Sequence, residues 1–220
     1  MPLTPSDFTA LFTDQSHCTL RGGRLATVSL SEPVDLALPT GRVVVCDPFT
    51  GLGPFRPRPY TATVRPGRYP VTVAVVSFDN DGTPARVTAA ARLSVADAPV
   101  ARWELALGEH EDVTELGENE FFGYETDYGD VCFVDGSGVD ALADHEDRLV
   151  EDLRAYVAAD FARPPLWVGS DGEEVVAFNT GRGSGSYPVW VGRTDSGDVA
   201  CFVADFLVLE KPGTVGTGTH

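Results

Sequence analysis

Four aspartates stand beside apolar, strand-like runs and are the residues best suited to acid–base chemistry. Asp47 and Asp205 end two such runs, whereas Asp127 and Asp135 flank a third. An ionised carboxylate among apolar residues is costly unless it is hydrogen-bonded or paired with a cation. Two interpretations follow. The aspartates are turn caps or partners of buried arginines, or they form, together with Tyr187, a carboxylate-based site for general acid–base catalysis.

Other catalytic and metal-binding patterns are incomplete. The spacing of Asp127, Asp130 and Asp135 does not fit a calcium loop, and the chain has no H-E-x-x-H or C-x-x-C motif. The glycine-rich run 181–185 leads into Tyr187-Pro188 rather than a helix, so it predicts a connecting loop and not a phosphate site. The four histidines lie in polar segments or in the tail, and no G-x-S-x-G motif is present. We predict no metal site and no cofactor.

The four cysteines are widely spaced. Cys46, Cys132 and Cys201 lie in apolar runs typical of buried free thiols, whereas Cys18 lies in a mixed segment. The first twenty residues lack the basic start and apolar stretch of a secretory signal. No run approaches the ~18 apolar residues of a membrane-spanning helix. These patterns predict reduced thiols, a cytoplasmic location and no membrane association.

Charge is concentrated in the middle of the chain. The formal net charge is −17, and residues 103–147 contain fifteen acidic residues and no Lys or Arg. Such a block repels nucleic acid and attracts a basic partner, so we predict binding of a basic protein and no nucleic acid. The candidate partner-binding residues are Glu109, Glu111, Asp112, Glu115, Glu118 and Glu120. The alternative is a solvated acidic face that keeps the protein soluble.

Alternating apolar residues indicate a chain built mainly from strands. The clearest alternation covers residues 86–95 and predicts a strand with one face in the core. The preceding Asn80-Asp81-Gly82 predicts a hairpin turn, because Asp and Gly tolerate positive φ. Apolar residues between positions 142 and 156 recur at helical spacing instead. Near the N-terminus, Ser6 is a candidate cap for a short helix over 7–12.

These elements predict an α+β fold that is predominantly β, with largely antiparallel sheets and one main helix near residues 140–160. We divide the chain into a partly irregular N-terminal segment (1–40), a single β-rich domain (41–210) and a flexible tail (211–220). The tail assignment rests on its Gly/Thr-rich composition.

Several short stretches of the β-rich domain follow one another in a specific order. They include GRVVVCDP at 41–48, RPGRYPV at 65–71, DYGDVCFVD at 127–135, GSGSYPVW at 183–190 and the strand that ends at Asp205. Together they resemble the bacterial DUF4241 family, a domain of unknown function. The resemblance covers about residues 40–208 and implies a shared fold unit rather than a reaction. One difference is Ser184, which stands where that family often has an acid.

Two hypotheses of function follow. The first is a non-catalytic, immunity-like binding module whose acidic block contacts a basic protein partner. The alternative is a hydrolase-like enzyme whose site is built from Asp47, Asp127, Asp135 and Asp205. The two differ in geometry, since an enzyme requires these carboxylates to converge in one pocket, whereas caps and bridges are scattered. The oligomeric state cannot be read from the sequence.

Overall fold

A computed structural model describes residues 1–49, 56–139, 162, 164–170 and 173–210. The helix predicted near 140–160 and the tail predicted at 211–220 lie outside these residues. The chain is predominantly β with antiparallel sheets, as predicted, and the described residues include one short helix near the N-terminus. In the part of the chain that the structure describes, no helix has the length and apolar character needed to span a bilayer.

The described elements follow one another as a short helix, seven strands, one 3₁₀ turn and six further strands. They are α1 (Phe8–Leu11), β1 (His17–Thr19), β2 (Leu25–Leu30), β3 (Val34–Leu38), β4 (Val43–Cys46), β5 (Gly67–Asn80), β6 (Thr83–Ser94), β7 (Arg102–Leu105), the 3₁₀ turn (Val113–Glu115), β8 (Gly123–Thr126), β9 (Asp130–Asp135), β10 (Leu166–Ser170), β11 (Glu173–Asn179), β12 (Gly185–Arg193) and β13 (Val199–Asp205).

Two antiparallel sheets contain all thirteen of these strands. The larger has the order β1-β2-β5-β6-β13-β12-β7, with β3 also paired to β5 and β8 to β12. The smaller has the order β10-β11-β9-β4. One face of the small sheet packs into the main core, where the Phe133 and Phe178 rings lie 5.3 Å apart and Phe178 reaches Phe206 at 6.1 Å. Its other face forms a second apolar cluster.

The β5–β6 hairpin confirms the predicted turn. Asp81 and Gly82 have φ values of 54° and 85°, so the turn requires two residues in the left-handed region. The expectation that only one face of β6 is buried is wrong, because Thr88 and Ala90 are buried as well. The Thr88 hydroxyl donates to Asn179 Oδ1 at 2.7 Å, so the second face of β6 is covered by the end of β11. Contact with the small sheet therefore buries the face that alternation alone assigns to solvent.

Glu174 on β11 connects the two sheets. Its carboxylate accepts hydrogen bonds from the Ala37 backbone on β3 and from the Trp167 indole, the latter at 2.7 Å. It also pairs with the Arg68 guanidinium on β5, with an N–O distance of 3.1 Å. The side chain of Glu174 is buried, whereas Arg68 remains about half exposed. This one acid therefore ties strands of both sheets together.

The first forty residues, predicted to be partly irregular, contain α1 and strands β1 to β3 of the large sheet. The predicted helix cap is displaced by one residue. Asp7 rather than Ser6 caps α1, and its Oδ1 accepts from the Ala10 backbone at 3.0 Å. The Ser6 hydroxyl donates instead to Asp205 Oδ2 at 2.7 Å. The N-terminal segment is thus fastened to the end of β13.

Candidate binding cleft

A cleft of about 720 Å³ lies where the end of β4, the loop after β7 and strand β8 meet. Among the described residues, its charged lining consists of five carboxylates and one guanidinium, with one histidine, His110, beside them. These charged residues are Asp47, Glu109, Glu111, Glu125, Asp127 and Arg58. Two aspartates from the predicted catalytic set therefore meet two glutamates from the predicted partner-binding set. We call this site the acidic cleft.

Asp47 organises one wall of the acidic cleft. It is only 1% exposed, and its Oδ1 accepts from the Phe49 backbone at 2.7 Å. Its Oδ2 accepts from the Thr126 hydroxyl at 2.9 Å and from the Asp127 backbone at 3.0 Å. These bonds join the end of β4 to the turn between β8 and β9. Asp47 therefore acts as a structural tie that fixes where Asp127 stands.

The β8–β9 turn presents Asp127 at the cleft. The Thr126 hydroxyl accepts from the Gly129 backbone at 2.9 Å, which closes the turn. Gly129 has φ 79°, and a Cβ at this position would lie 2.7 Å from the Gly183 Cα. Only glycine fits this crossing of two loops. The Asp127 residue itself is exposed, and no described residue donates a hydrogen bond to its carboxylate.

The loop after β7 supplies the other two predicted acids. The Leu107 carbonyl accepts from the Thr61 backbone at 2.9 Å, which anchors the loop beside Tyr60. Glu111 is half-buried, and its Oε2 accepts from the Gly108 backbone at 2.6 Å. Glu109 is exposed, and none of the residues with described positions donates to its carboxylate. This loop therefore contributes two carboxylates to the cleft lining.

Two tyrosines, Tyr60 and Tyr124, form an aromatic part of the cleft wall. Tyr60 stacks on Phe202 with ring centroids 6.3 Å apart, and Tyr124 packs on Tyr187 at 6.1 Å. Burial, followed by the charges of Glu111 and Cys46, raises the pKa of Tyr60 far above its ordinary value. Burial likewise raises the pKa of Tyr124. Both phenols are therefore neutral at physiological pH, and the Tyr124 hydroxyl has no hydrogen-bond partner among the described residues.

Asp135 lies outside the cleft, at the far end of β9. Its carboxylate accepts from the Thr40 backbone and hydroxyl at 3.1 and 2.7 Å and from the Ser137 backbone and hydroxyl at 2.9 and 2.6 Å. Burial alone would raise the pKa of Asp135, but the hydrogen bonds from Ser137 and Thr40 lower it below its ordinary value. Asp135 is therefore a loop cap.

Asp205 also lies elsewhere, at the end of β13. Besides Ser6, the Leu207 backbone donates to its carboxylate, at 2.9 Å. Burial raises the pKa of Asp205, and the hydrogen bonds from Ser6 and Leu207, together with the charge of Arg21, only partly oppose that effect. None of the ion pairs between described residues includes Asp205, so hydroxyl and backbone donors occupy the place that an arginine partner was expected to fill. Tyr187 is also absent from the lining of the acidic cleft, and its hydroxyl donates to the Gly183 carbonyl at 2.9 Å.

The remaining predicted partner-binding acids lie on the exposed segment that follows the cleft loop. Asp112 caps the 3₁₀ turn by accepting from the Thr114 backbone at 2.8 Å and its hydroxyl at 2.7 Å, and these bonds lower the pKa of Asp112. Glu120 Oε2 accepts from the Gly117 backbone at 2.7 Å. Glu115 and Glu118 are exposed. These four acids extend the negative surface beyond the cleft without lining it.

Among the cleft residues with polar or ionisable side chains, sequence reasoning missed Arg58, Tyr60, His110, Tyr124 and Glu125 as site residues. They come from three separate segments, and no motif or periodicity links those segments. The only sequence signal nearby is the charge of the acidic block. The described residues contain no group of three or more His, Cys, Asp or Glu side chains arranged to hold a metal ion.

The fold and the cleft define an antiparallel β protein with an acidic cleft. Residues 36–204 match the family model described as "Protein of unknown function (DUF4241)". The chain belongs to this family, which confirms the resemblance seen in the sequence motifs. No curated protein and no solved structure matches the chain significantly.

Proposed function

We propose that the protein is a binding module whose acidic cleft receives cationic side chains of a basic protein partner. The observation that carries this proposal is the convergence of Glu109, Glu111 and Asp127 on one concave surface beside neutral tyrosine rings. The carboxylates of Glu109 and Asp127 keep their acceptor capacity, because no described residue donates to them. A guanidinium or ammonium group would supply the missing donors.

The charge distribution supports the same ligand class. Five carboxylates against one guanidinium make the cleft strongly negative, and the exposed acids from Asp112 to Glu120 extend that field outward. Complementary charge accelerates encounter with a basic partner and repels acidic ones, including nucleic acid. The tyrosines add aromatic faces, and cations bind such faces with about 0.5–2 kcal/mol.

The enzyme alternative finds less support in the geometry. Of its four carboxylates, Asp47 and Asp127 line the cleft, whereas Asp135 and Asp205 cap separate loops. Asp47 already accepts three hydrogen bonds from neighbours. We therefore propose recognition rather than turnover. An immunity-like role in the cytoplasm is compatible with this proposal.

A peptide titration tests the proposed function. Fluorescence anisotropy would follow a labelled arginine-rich peptide titrated with the protein at low and at high salt. We expect binding at low salt that weakens as salt rises, because exposed charges are screened beyond about 8–10 Å at physiological ionic strength. A variant with Glu109→Gln, Glu111→Gln and Asp127→Asn should lose most of the binding.

The matched control carries the same change in charge on surfaces away from the cleft. Glu32→Gln, Asp97→Asn and Asp195→Asn likewise remove three negative charges, all at exposed positions. We expect this control to retain most of the affinity. Equal losses of affinity in the two triple variants would show that the peptide responds to net charge and not to the acidic cleft. Absence of binding to the wild type at low salt would refute the proposal.

A further inference from the structure

Cys46, which lines the acidic cleft, forms a close pair with the buried Cys132. Cys46 is the last residue of β4, and it is the direct antiparallel partner of Cys132 on β9. Their sulfur atoms lie 3.7 Å apart, within hydrogen-bonding distance. Both thiols are free, and neither Cys18 nor Cys201 belongs to this strand pair.

The backbone geometry suits a covalent bond between them. Directly opposed residues in antiparallel strands have Cα atoms about 4.5–5.5 Å apart, within the ~4.4–6.8 Å range of protein disulfides. The side chains of such a pair lie on the same face of the sheet. Closing the gap between the sulfur atoms therefore requires side-chain rotation and a small strand shift rather than rearrangement of the fold.

Access to the pair is one-sided. Cys46 lines the acidic cleft, although it is only 3% exposed, whereas Cys132 is completely buried. A small oxidant entering the cleft meets Cys46 first. Cys132 needs no access of its own, because its reaction partner is the neighbouring sulfur atom. Its hydrogen bond with Cys46, burial and the charge of Asp47 raise the pKa of Cys132, so it holds its proton until that second step.

We propose that Cys46 and Cys132 are a reversible disulfide site oxidised by a small hydroperoxide through the acidic cleft. In the first step, with hydrogen peroxide as the oxidant, the Cys46 sulfur bonds to one peroxide oxygen and the O–O bond breaks. The second oxygen leaves as water with the thiol proton, and Cys46 becomes a sulfenic acid. In the second step, the Cys132 sulfur attacks the Cys46 sulfur, the S–O bond breaks, and a second water leaves with the Cys132 proton. Two thiols and one hydrogen peroxide thus give one disulfide and two waters. This site is independent of what the cleft binds.

Peptide mapping by mass spectrometry tests the site. The reduced, folded protein is treated with hydrogen peroxide, and free thiols are then alkylated under denaturing conditions. We expect a crosslinked peptide containing Cys46 and Cys132, with one-to-one loss of these two thiols while Cys18 and Cys201 still alkylate. Treatment with a thiol reductant should restore both thiols. Oxidation of Cys18 or Cys201 while Cys46 and Cys132 remain reduced would overturn the proposal.

Two serine variants test the order of the steps. In Cys132→Ser, Cys46 should stop at the sulfenic acid, which dimedone traps as an adduct. In Cys46→Ser, Cys132 should remain a free thiol under the same treatment. Circular dichroism of each variant confirms that the β fold is retained. Trapping at Cys132 in Cys46→Ser, with no trapping at Cys46 in Cys132→Ser, would contradict oxidation through the cleft.

Discussion

Two aspartates near opposite ends of β9, one at its last residue and one in the turn before it, are in opposite situations. Asp135 at one end is buried and accepts four hydrogen bonds from Thr40 and Ser137. Asp127, in the turn before the other end, is exposed, and it engages its neighbour Asp47 through its backbone N–H rather than its carboxylate. The Asp135 carboxylate is saturated by hydrogen bonds within the fold, whereas the Asp127 carboxylate remains available to a ligand at the acidic cleft.

The difference lies in the donors that surround each acid. A loop that supplies backbone N–H groups and hydroxyls stabilises the ionised carboxylate and lowers its pKa, as at Asp135. A carboxylate without such donors keeps its acceptor capacity for a ligand. Proximity to an apolar strand is therefore a poor guide to function, whereas the count of local donors separates structural from available acids.

The largest effect on stability should come from replacing Asp135, whose carboxylate accepts four hydrogen bonds. Asp135→Ala removes the acceptor of four hydrogen bonds, and hydrogen bonds to charged groups contribute about 1.5–3 kcal/mol each without being additive. We expect the free energy of unfolding to fall by about 3 kcal/mol or more. For a domain of this size the melting temperature should then drop by about 6–12 °C. Thermal and urea unfolding of the variant and the wild type measure this change.

A second expected loss concerns the acid that joins the two sheets. Glu174→Ala leaves the Trp167 indole and the Ala37 backbone without their acceptor and releases Arg68. We expect a loss of about 2 kcal/mol, because Arg68 is half exposed and can be solvated. The control is Asp81→Asn at the exposed pair with Arg24, where the N–O distance is 3.9 Å. Exposed pairs contribute only about 0–1 kcal/mol, so equal losses at the two sites would contradict the role of Glu174.

Asp205 should respond to pH in the opposite direction from Asp135. The folded-state pKa of Asp205 is raised, so the stability that its protonated form contributes is present below the unfolded pKa of ~3.9 and is lost as pH rises through the folded pKa. The folded-state pKa of Asp135 is lowered, so its contribution is present above that unfolded value and is lost as pH falls through the folded pKa.

Asparagine variants turn this contrast into a measurement. Asp205→Asn keeps an oxygen for the Leu207 N–H and presents an amide to the Ser6 oxygen, and it removes the buried charge. Relative to the wild type, its stability at neutral pH should be unchanged or higher by up to about 1 kcal/mol. Asp135→Asn should be most destabilised at neutral pH and recover toward acid. Urea unfolding between pH 3 and 7 measures the stability of both variants relative to the wild type. The same pH dependence in the two variants would contradict the explanation that local hydrogen-bond donors set the pKa of each aspartate.

The sequence predicted the β-rich class and the β5–β6 turn because both depend on local patterns. Its errors occur where distant segments meet. The predicted helix cap Ser6 bonds Asp205 instead, almost two hundred residues away, and leaves the helix cap to Asp7. The predicted acids Glu109, Glu111 and Asp127 do meet in one cleft, but their tyrosine neighbours come from segments that carry no motif. Local patterns contain no information on such contacts.

The smallest effect on stability should come from Asp127. Asp127→Asn leaves the backbone N–H bond to Asp47 intact and removes only an exposed carboxylate, so the free energy of unfolding should change by no more than about 0.5 kcal/mol. Its affinity for an arginine-rich peptide should still fall, by about 1.4- to fivefold, because a single exposed ion pair contributes about 0.2–1 kcal/mol. Urea unfolding and anisotropy titration of the same preparation measure both quantities. A stability loss like that of Asp135→Ala would show that Asp127 also serves the fold, and the contrast between the two ends of β9 would then disappear.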